Sequence, residues 1–158
     1  REAAVAGVRE LGGDVVVVDG EGLARRVAEA TDRAQIRLGI DAVGGKSTDH
    51  LAASLGMGAT LVNYGMMSGE ACQVSPASFV FRNITLKGFW LAFWFKNATP
   101  QQQVALFSEL GGMIAAGTLK ARIQATYDLG DIKAAVAAAA AGERDGKILI
   151  VPGQTKPH

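Results

Sequence analysis

Along the chain, runs of β-branched and apolar residues alternate with stretches whose apolar residues recur every three or four positions. The first pattern predicts strands and the second predicts helices with one inward face. Ala4, Val5, Val8 and Leu11 keep helical spacing, with Gly12 where a C-terminal cap belongs. Residues 15–18 are four consecutive valines, a run suited to a strand buried on both faces of a parallel sheet. A helix is predicted over 22–34 with Leu23, Val27 and Ala30 inward, then a strand over 36–43. Ser47 is the expected N-cap of a helix over 48–55, with Asp49 in its first turn. Residues 60–64 read as a strand stopped by Gly65, and the region around Pro76 reads as looser chain.

Residues 84–95 organise the rest. Ile84, Leu86 and Gly88 alternate with Thr85, Lys87 and Phe89, the period of a strand. Then Phe89, Trp90, Phe93, Trp94 and Phe95 gather half of the chain's aromatics. Such a cluster either packs into the core or delivers a flat apolar wall to a ligand beyond a strand end. Further on, Thr99, Pro100 and Gln102 form a helix start: N-cap, first-turn proline and the third-position partner of a capping box. Val104, Phe107, Leu110 and Ile114 share one face of that helix, which Gly117 ends. The pair Gly111-Gly112 predicts either tight packing or a weak point, at roughly 1 kcal/mol each against Ala. A strand over 122–127, an alanine-rich helix over 131–141 closed by Gly142, and a strand over 147–151 complete the pattern. The alternation predicts an α/β fold with a largely parallel sheet. Residues 15–18, 36–43, 60–64 and 85–89 are expected to be parallel strands of one sheet, with 122–127 and 147–151 outside it.

Composition adds exclusions. The formal net charge of +1 argues for neither nucleic acid nor an acidic membrane surface. The single cysteine, Cys72, offers no internal disulfide, and with only His50 and His158 no zinc constellation is visible. No apolar run approaches the roughly 20 residues of a membrane span. The chain opens at Arg1 inside a helical pattern and without an initiator Met. No G-x-G-x-x-G joins a first strand to a helix, the place a dinucleotide fold carries it. The chain is therefore expected to be the C-terminal part of something longer, with a first βαβ unit lost before Arg1.

Three segments carry a family resemblance: Asp41-Ala42-Val43-Gly44-Gly45-Lys46-Ser47, Asn63-Tyr64-Gly65-Met66-Met67 and Leu86-Lys87-Gly88-Phe89-Trp90-Leu91. Together they resemble the zinc-independent branch of the medium-chain dehydrogenase/reductase superfamily, most closely its NADPH-dependent trans-2-enoyl-thioester reductases. The resemblance runs from Arg1 to about Pro152. It implies a Rossmann-type sheet over 1–117, incomplete at its start, and a return segment over 118–158 whose strands belong to a GroES-like catalytic domain.

The resemblance also implies a site. A Tyr-Gly-Gly-Met segment approaches the nicotinamide end of the cofactor in that family; here it reads Tyr64, Gly65, Met66, Met67, with Met66 in place of the second glycine. The family's Phe-Trp-Leu triplet, here Phe89, Trp90 and Leu91, lines the nicotinamide pocket. Val43 and Gly44 of the Val-Gly-Gly turn join the cofactor-binding set. Lys147 matches a cofactor-contacting lysine, or is a solvated strand-start residue. Arg1 matches an arginine facing the 2′-phosphate of NADPH, or is a free terminus. The family's proton donor is a tyrosine of the N-terminal domain; neither Tyr64 nor Tyr127 matches its motif, so no catalytic residue is assigned.

The implied function is reduction of a 2-enoyl thioester, coenzyme A or acyl carrier protein being open as the carrier. A quinone oxidoreductase of the same superfamily and a non-catalytic cofactor-binding or dimerisation module are the alternatives. A homodimer through the strand over 85–89 is expected, in the cytoplasm, or the mitochondrion of a eukaryote, with neither nucleic acid nor membrane as partner. With the phosphate cradle before Arg1, the chain by itself is expected to bind NADPH weakly and to leave crotonyl thioesters unreduced.

Overall fold

The structure, a computed structural model, describes residues 4–141 and 145–153. They form two compact units, divided between Asn97 and Ala98.

In the first unit, β1 (Leu38–Asp41), β2 (Thr60–Asn63) and β3 (Thr85–Gly88) make one sheet in the order β1-β2-β3. Both pairings are parallel, and the register puts Asp41, Asn63 and Gly88 level at the carboxyl ends. Five helices accompany the sheet: α1 (Val5–Glu10), α2 (Leu23–Ala30), α3 (Gly45–Ser54), α4 (Pro76–Arg82) and α5 (Leu91–Asn97). α3 lies on β1 and β2, and α2 packs on α3. The core is Ala52, Leu55, Ala59, Leu61 and Ile84, with Ile36, Leu51, Val74 and Leu86 against it. The other face of β1 turns Leu38 and Ile40 outward.

The parallel α/β class stands as expected, with three corrections. Residues 15–18 form no strand. β-Branched residues favour extended backbone, but a strand also needs a ladder partner, and none pairs with them among the described residues. Ser47 is not an N-cap. α3 begins at Gly45 behind Gly44, whose φ of +79° belongs to the left-handed region that glycine tolerates. The helix over 22–34 ends early, at Ala30, because Asp32 and Arg33 both turn to positive φ.

Two helices lie where the sequence suggested loop or strand end. Ser75 caps α4, accepting the Ala77 amide at 3.2 Å, with Pro76 following. α5 carries Trp94 and Phe95, whose rings meet edge to face at 5.1 Å.

The second unit holds α6 (Pro100–Ala115), β4 (Ile123–Tyr127), a 3-10 turn over Leu129–Asp131, α7 (Ile132–Ala140) and β5 (Lys147–Ile150). The capping box at Thr99 is present: Gln102 donates its amide to the Thr99 hydroxyl and accepts the Thr99 amide. β4 and β5 pair in parallel as a separate sheet, with α7 crossing between them. A methyl group at Gly111 or Gly112 would meet nothing within 4 Å, so the pair is the weak point rather than the tight contact. The predicted stop at Gly142 lies outside the described residues.

Candidate functional site

Three turns leave the carboxyl ends of β1, β2 and β3, the edge where open parallel sheets bind ligands. The first holds Val43 and Gly44, the second 64–67, and the third Phe89 and Trp90 before α5. Backbone hydrogen bonds join them. Tyr64 donates its amide to Asp41 O at 2.9 Å, Met67 to Ala42 O at 3.1 Å and Ser68 to Val43 O at 2.9 Å. Phe89 donates to Asn63 O at 2.9 Å. The structure thus brings together Val43, Gly44, Tyr64, Gly65, Met66 and Met67, and places Phe89 beside them.

Beneath these turns sits the Asp41 carboxylate, 4% exposed. Its Oδ1 accepts the Val43 amide at 2.8 Å and the Gly44 amide at 3.2 Å. Its Oδ2 accepts the Thr48 hydroxyl at 2.7 Å and the Asn63 Nδ2 at 3.0 Å. Burial pushes the carboxyl up, but hydrogen bonds from Thr48, Val43, Asn63 and Gly44 outweigh it and hold the group below its ordinary value. Asn63 also donates to Gly65 O at 3.0 Å. Neither side chain received a role from the sequence. An aspartate two and three residues before the amides it captures is an Asx-type turn, and that was the available signal.

The side chains that these turns carry are mostly apolar and open to solvent. Val43, Tyr64, Met66, Phe89 and Leu91 are exposed, as are Met67 at 82% and Trp90 at 73%. The aromatic cluster is therefore divided. Trp90 is a surface group and not core, while Trp94 is only half-buried on α5. Exposed rings and apolar groups of this kind suit stacking and apolar contact with a flat ring. Met66 is 70% exposed, and Gly65 is the position where an added side chain would meet backbone, the Ala42 carbonyl. Lys147 opens β5 in the second unit and is exposed. Arg1 lies outside the described residues.

A second polar group ties residue 19 to α3. Asp19 accepts the Ser47 hydroxyl and the Gly20 amide, and its Oδ1 meets His50 Nδ1 at 2.8 Å. Serine and histidine both face the carboxylate and not each other, so they are not a nucleophile with its base. Among the described residues no cluster of three or more His, Cys, Asp or Glu could hold a metal ion, and no helix is long and apolar enough to cross a membrane.

Comparison with known proteins agrees with this fold. A family model described as zinc-binding dehydrogenase matches residues 11–150. The mitochondrial enoyl-[acyl-carrier-protein] reductase of Homo sapiens is 36% identical over 107 residues, 68% of this chain and 29% of that protein. Its namesake from Dictyostelium discoideum is 33% identical over 120 residues, 74% of this chain and 34% of that protein. A crystal structure of a candidate NADPH:quinone reductase from Bacillus thuringiensis has a TM-score of 0.69 at 27% identity, covering 80% of this chain and 38% of that one. The chain spans about a third of the length of the curated relatives it matches. With a parallel sheet of this kind and a match over most of its length, the chain belongs to the zinc-binding dehydrogenase family of medium-chain oxidoreductases.

Proposed function

We propose that this chain supplies the nicotinamide-side wall of an NADPH-dependent 2-enoyl-thioester reductase. The observation that carries the reading is the convergence of Val43-Gly44, Tyr64 to Met67 and Phe89 to Leu91 at one edge of the parallel sheet. NADPH, when bound, supplies the hydride for the β-carbon of the enoyl thioester. The chain's own part is to bind and orient. Tyr64, Met66, Met67, Phe89, Trp90 and Leu91 offer ring and apolar contact, and the Gly44 and Gly65 turns keep backbone close behind them. The contacts of Arg1 and Lys147 rest on the family resemblance alone, as does the division into a dinucleotide part over 1–117 and a return segment over 118–158.

The Bacillus thuringiensis likeness favours a quinone as the second reading. The two are separated by protein made from the complete coding sequence, assayed for NADPH oxidation with a crotonyl thioester and with a benzoquinone. Turnover of the quinone alone would reverse the order.

β3 ends the sheet order, so its outer edge is unpaired among the described residues. A bare edge strand takes a partner readily. We assign it to a homodimer, which sedimentation of the chain tests: a monomer at high micromolar concentration overturns the assignment.

A further inference from the structure

We infer that Asp41 is a positioning residue that sets the 64–67 segment against the Gly44 turn by fixing which way the Asn63 carboxamide points. The inference rests on the nicotinamide-wall reading above for its functional meaning. Its geometry stands by itself.

An ionised carboxylate only accepts hydrogen bonds. Asp41 Oδ2 takes one from Asn63 Nδ2, so the nitrogen, and not the oxygen, of that carboxamide must face it. The same nitrogen has a second proton, and that proton holds Gly65 O at 3.0 Å. Gly65 in turn is pressed against Ala42, and Met67 and Ser68 donate their amides to Ala42 O and Val43 O. The other carboxylate oxygen holds the Val43 and Gly44 amides. One buried group therefore fixes both turns: the first directly, the second through Asn63. The groups hydrogen-bonded to it are Thr48 of α3, Asn63 of β2 and the two turn amides. None of them titrates near the range of a carboxylate.

Replacing the carboxylate by its carboxamide isostere keeps size and shape but presents an NH2 where Asn63 also presents one. Asn63 must then flip or lose the bond. A flip points its oxygen at Gly65 O and releases that carbonyl. The same orientation cannot serve both partners.

The test is backbone amide hydrogen exchange and NMR shifts of the whole chain, with Leu61 in the core as reference. Asp41→Asn is expected to speed exchange at Met67 and Ser68 by about tenfold or more while Leu61 holds its rate. In the unsubstituted chain the Val43 and Gly44 amide shifts should titrate with a midpoint below the ordinary aspartate range, and Asp41→Asn should abolish that step. If Asp41→Asn does not fold, Asn63→Ala serves. It should free Met67 and Ser68 while Val43 and Gly44 stay protected.

The double exchange Asp41→Asn with Asn63→Asp should restore the bond between these two positions. It should not restore Met67 and Ser68, because a carboxylate at 63 repels Gly65 O. Unchanged Met67 and Ser68 rates in Asp41→Asn or Asn63→Ala, or an equal rise at Leu61, overturn the inference. NADPH titration of protein made from the complete coding sequence reads the wall separately, since the chain by itself is expected to bind NADPH weakly. Shifts confined to Met66, Met67 and Trp90 support it, and their absence sinks the nicotinamide reading while the exchange result still decides the role of Asp41.

Discussion

The carbonyl oxygen of Ala42 stands 2.7 Å from where a methyl group on Gly65 would project. That is inside any real carbon–oxygen contact, and both partners are backbone, so neither can swing aside. Gly65→Ala must push the second turn away from the first or strain the β2 end. Overpacking of this kind costs roughly 1–3 kcal/mol. We expect a lower melting temperature by thermal unfolding, with disturbed shifts at Met67 and Ser68. A variant as stable as the parent would mean the two turns are not held this closely.

This contact shows what the sequence could and could not convey. Signals that act within one turn were readable: Thr99, Pro100 and Gln102 specify a helix start by themselves, and α6 begins there. Ser75-Pro76 is the same kind of signal, yet α4 is only seven residues long and shows no periodic apolar face to support it. Ser47 misled because Asp41, on the preceding strand, already holds the Val43 and Gly44 amides and starts the helix earlier. The valines at 15–18 misled because strand formation depends on a partner that no local pattern specifies. The three site segments were legible as motifs. Their convergence depends on the register that levels Asp41, Asn63 and Gly88, a property of the sheet and not of any one stretch.

Arg82 Nη1 donates to Ala53 O at 2.7 Å, satisfying a carbonyl in the last turn of α3. A helix end leaves such acceptors without intrahelical partners, and a cation there also suits the helix dipole. Arg82→Met keeps the apolar stem and removes the donor. The expected loss is roughly 1–2 kcal/mol, since this is a charge-assisted bond in a half-buried setting. Urea unfolding followed by Trp fluorescence measures it, and a midpoint equal to the parent's would show that solvent replaces the guanidinium at no loss.

In α6, Gly111 and Gly112 have open space where a side chain would stand. Glycine in a helix interior carries excess backbone entropy in the unfolded chain, and alanine removes it without a clash here. Gly111→Ala and Gly112→Ala should each stabilise by about 0.5–1 kcal/mol, and together nearly additively. Helical circular dichroism should rise in step. A fall in stability on either change would reveal a neighbour packed closely against that face.

Asp19 fastens the 15–18 segment to α3, through the Ser47 hydroxyl and the His50 ring. Arg26 adds a bond to Val18 O at 2.9 Å. Burial pushes the Asp19 carboxyl up, but the hydrogen bonds from Ser47, His50 and Gly20 and the His50 charge outweigh it and lower the group below its ordinary value. A carboxyl lowered in the folded state binds fewer protons folded than unfolded in the acid range. Its contribution is therefore fully present above about pH 4 and fades as the pH falls through the folded-state value. The side chain is half exposed, so the effect on global stability is small and the local one is the better reporter. Carbon-detected NMR of the Asp19 carboxyl should give a midpoint below the ordinary aspartate value. Ser47→Ala should raise that midpoint, and exchange at the amides of 17–20 should quicken as the group protonates. An identical midpoint in Ser47→Ala would show that the hydroxyl holds no part of the fastening, leaving His50 and Gly20 to carry it.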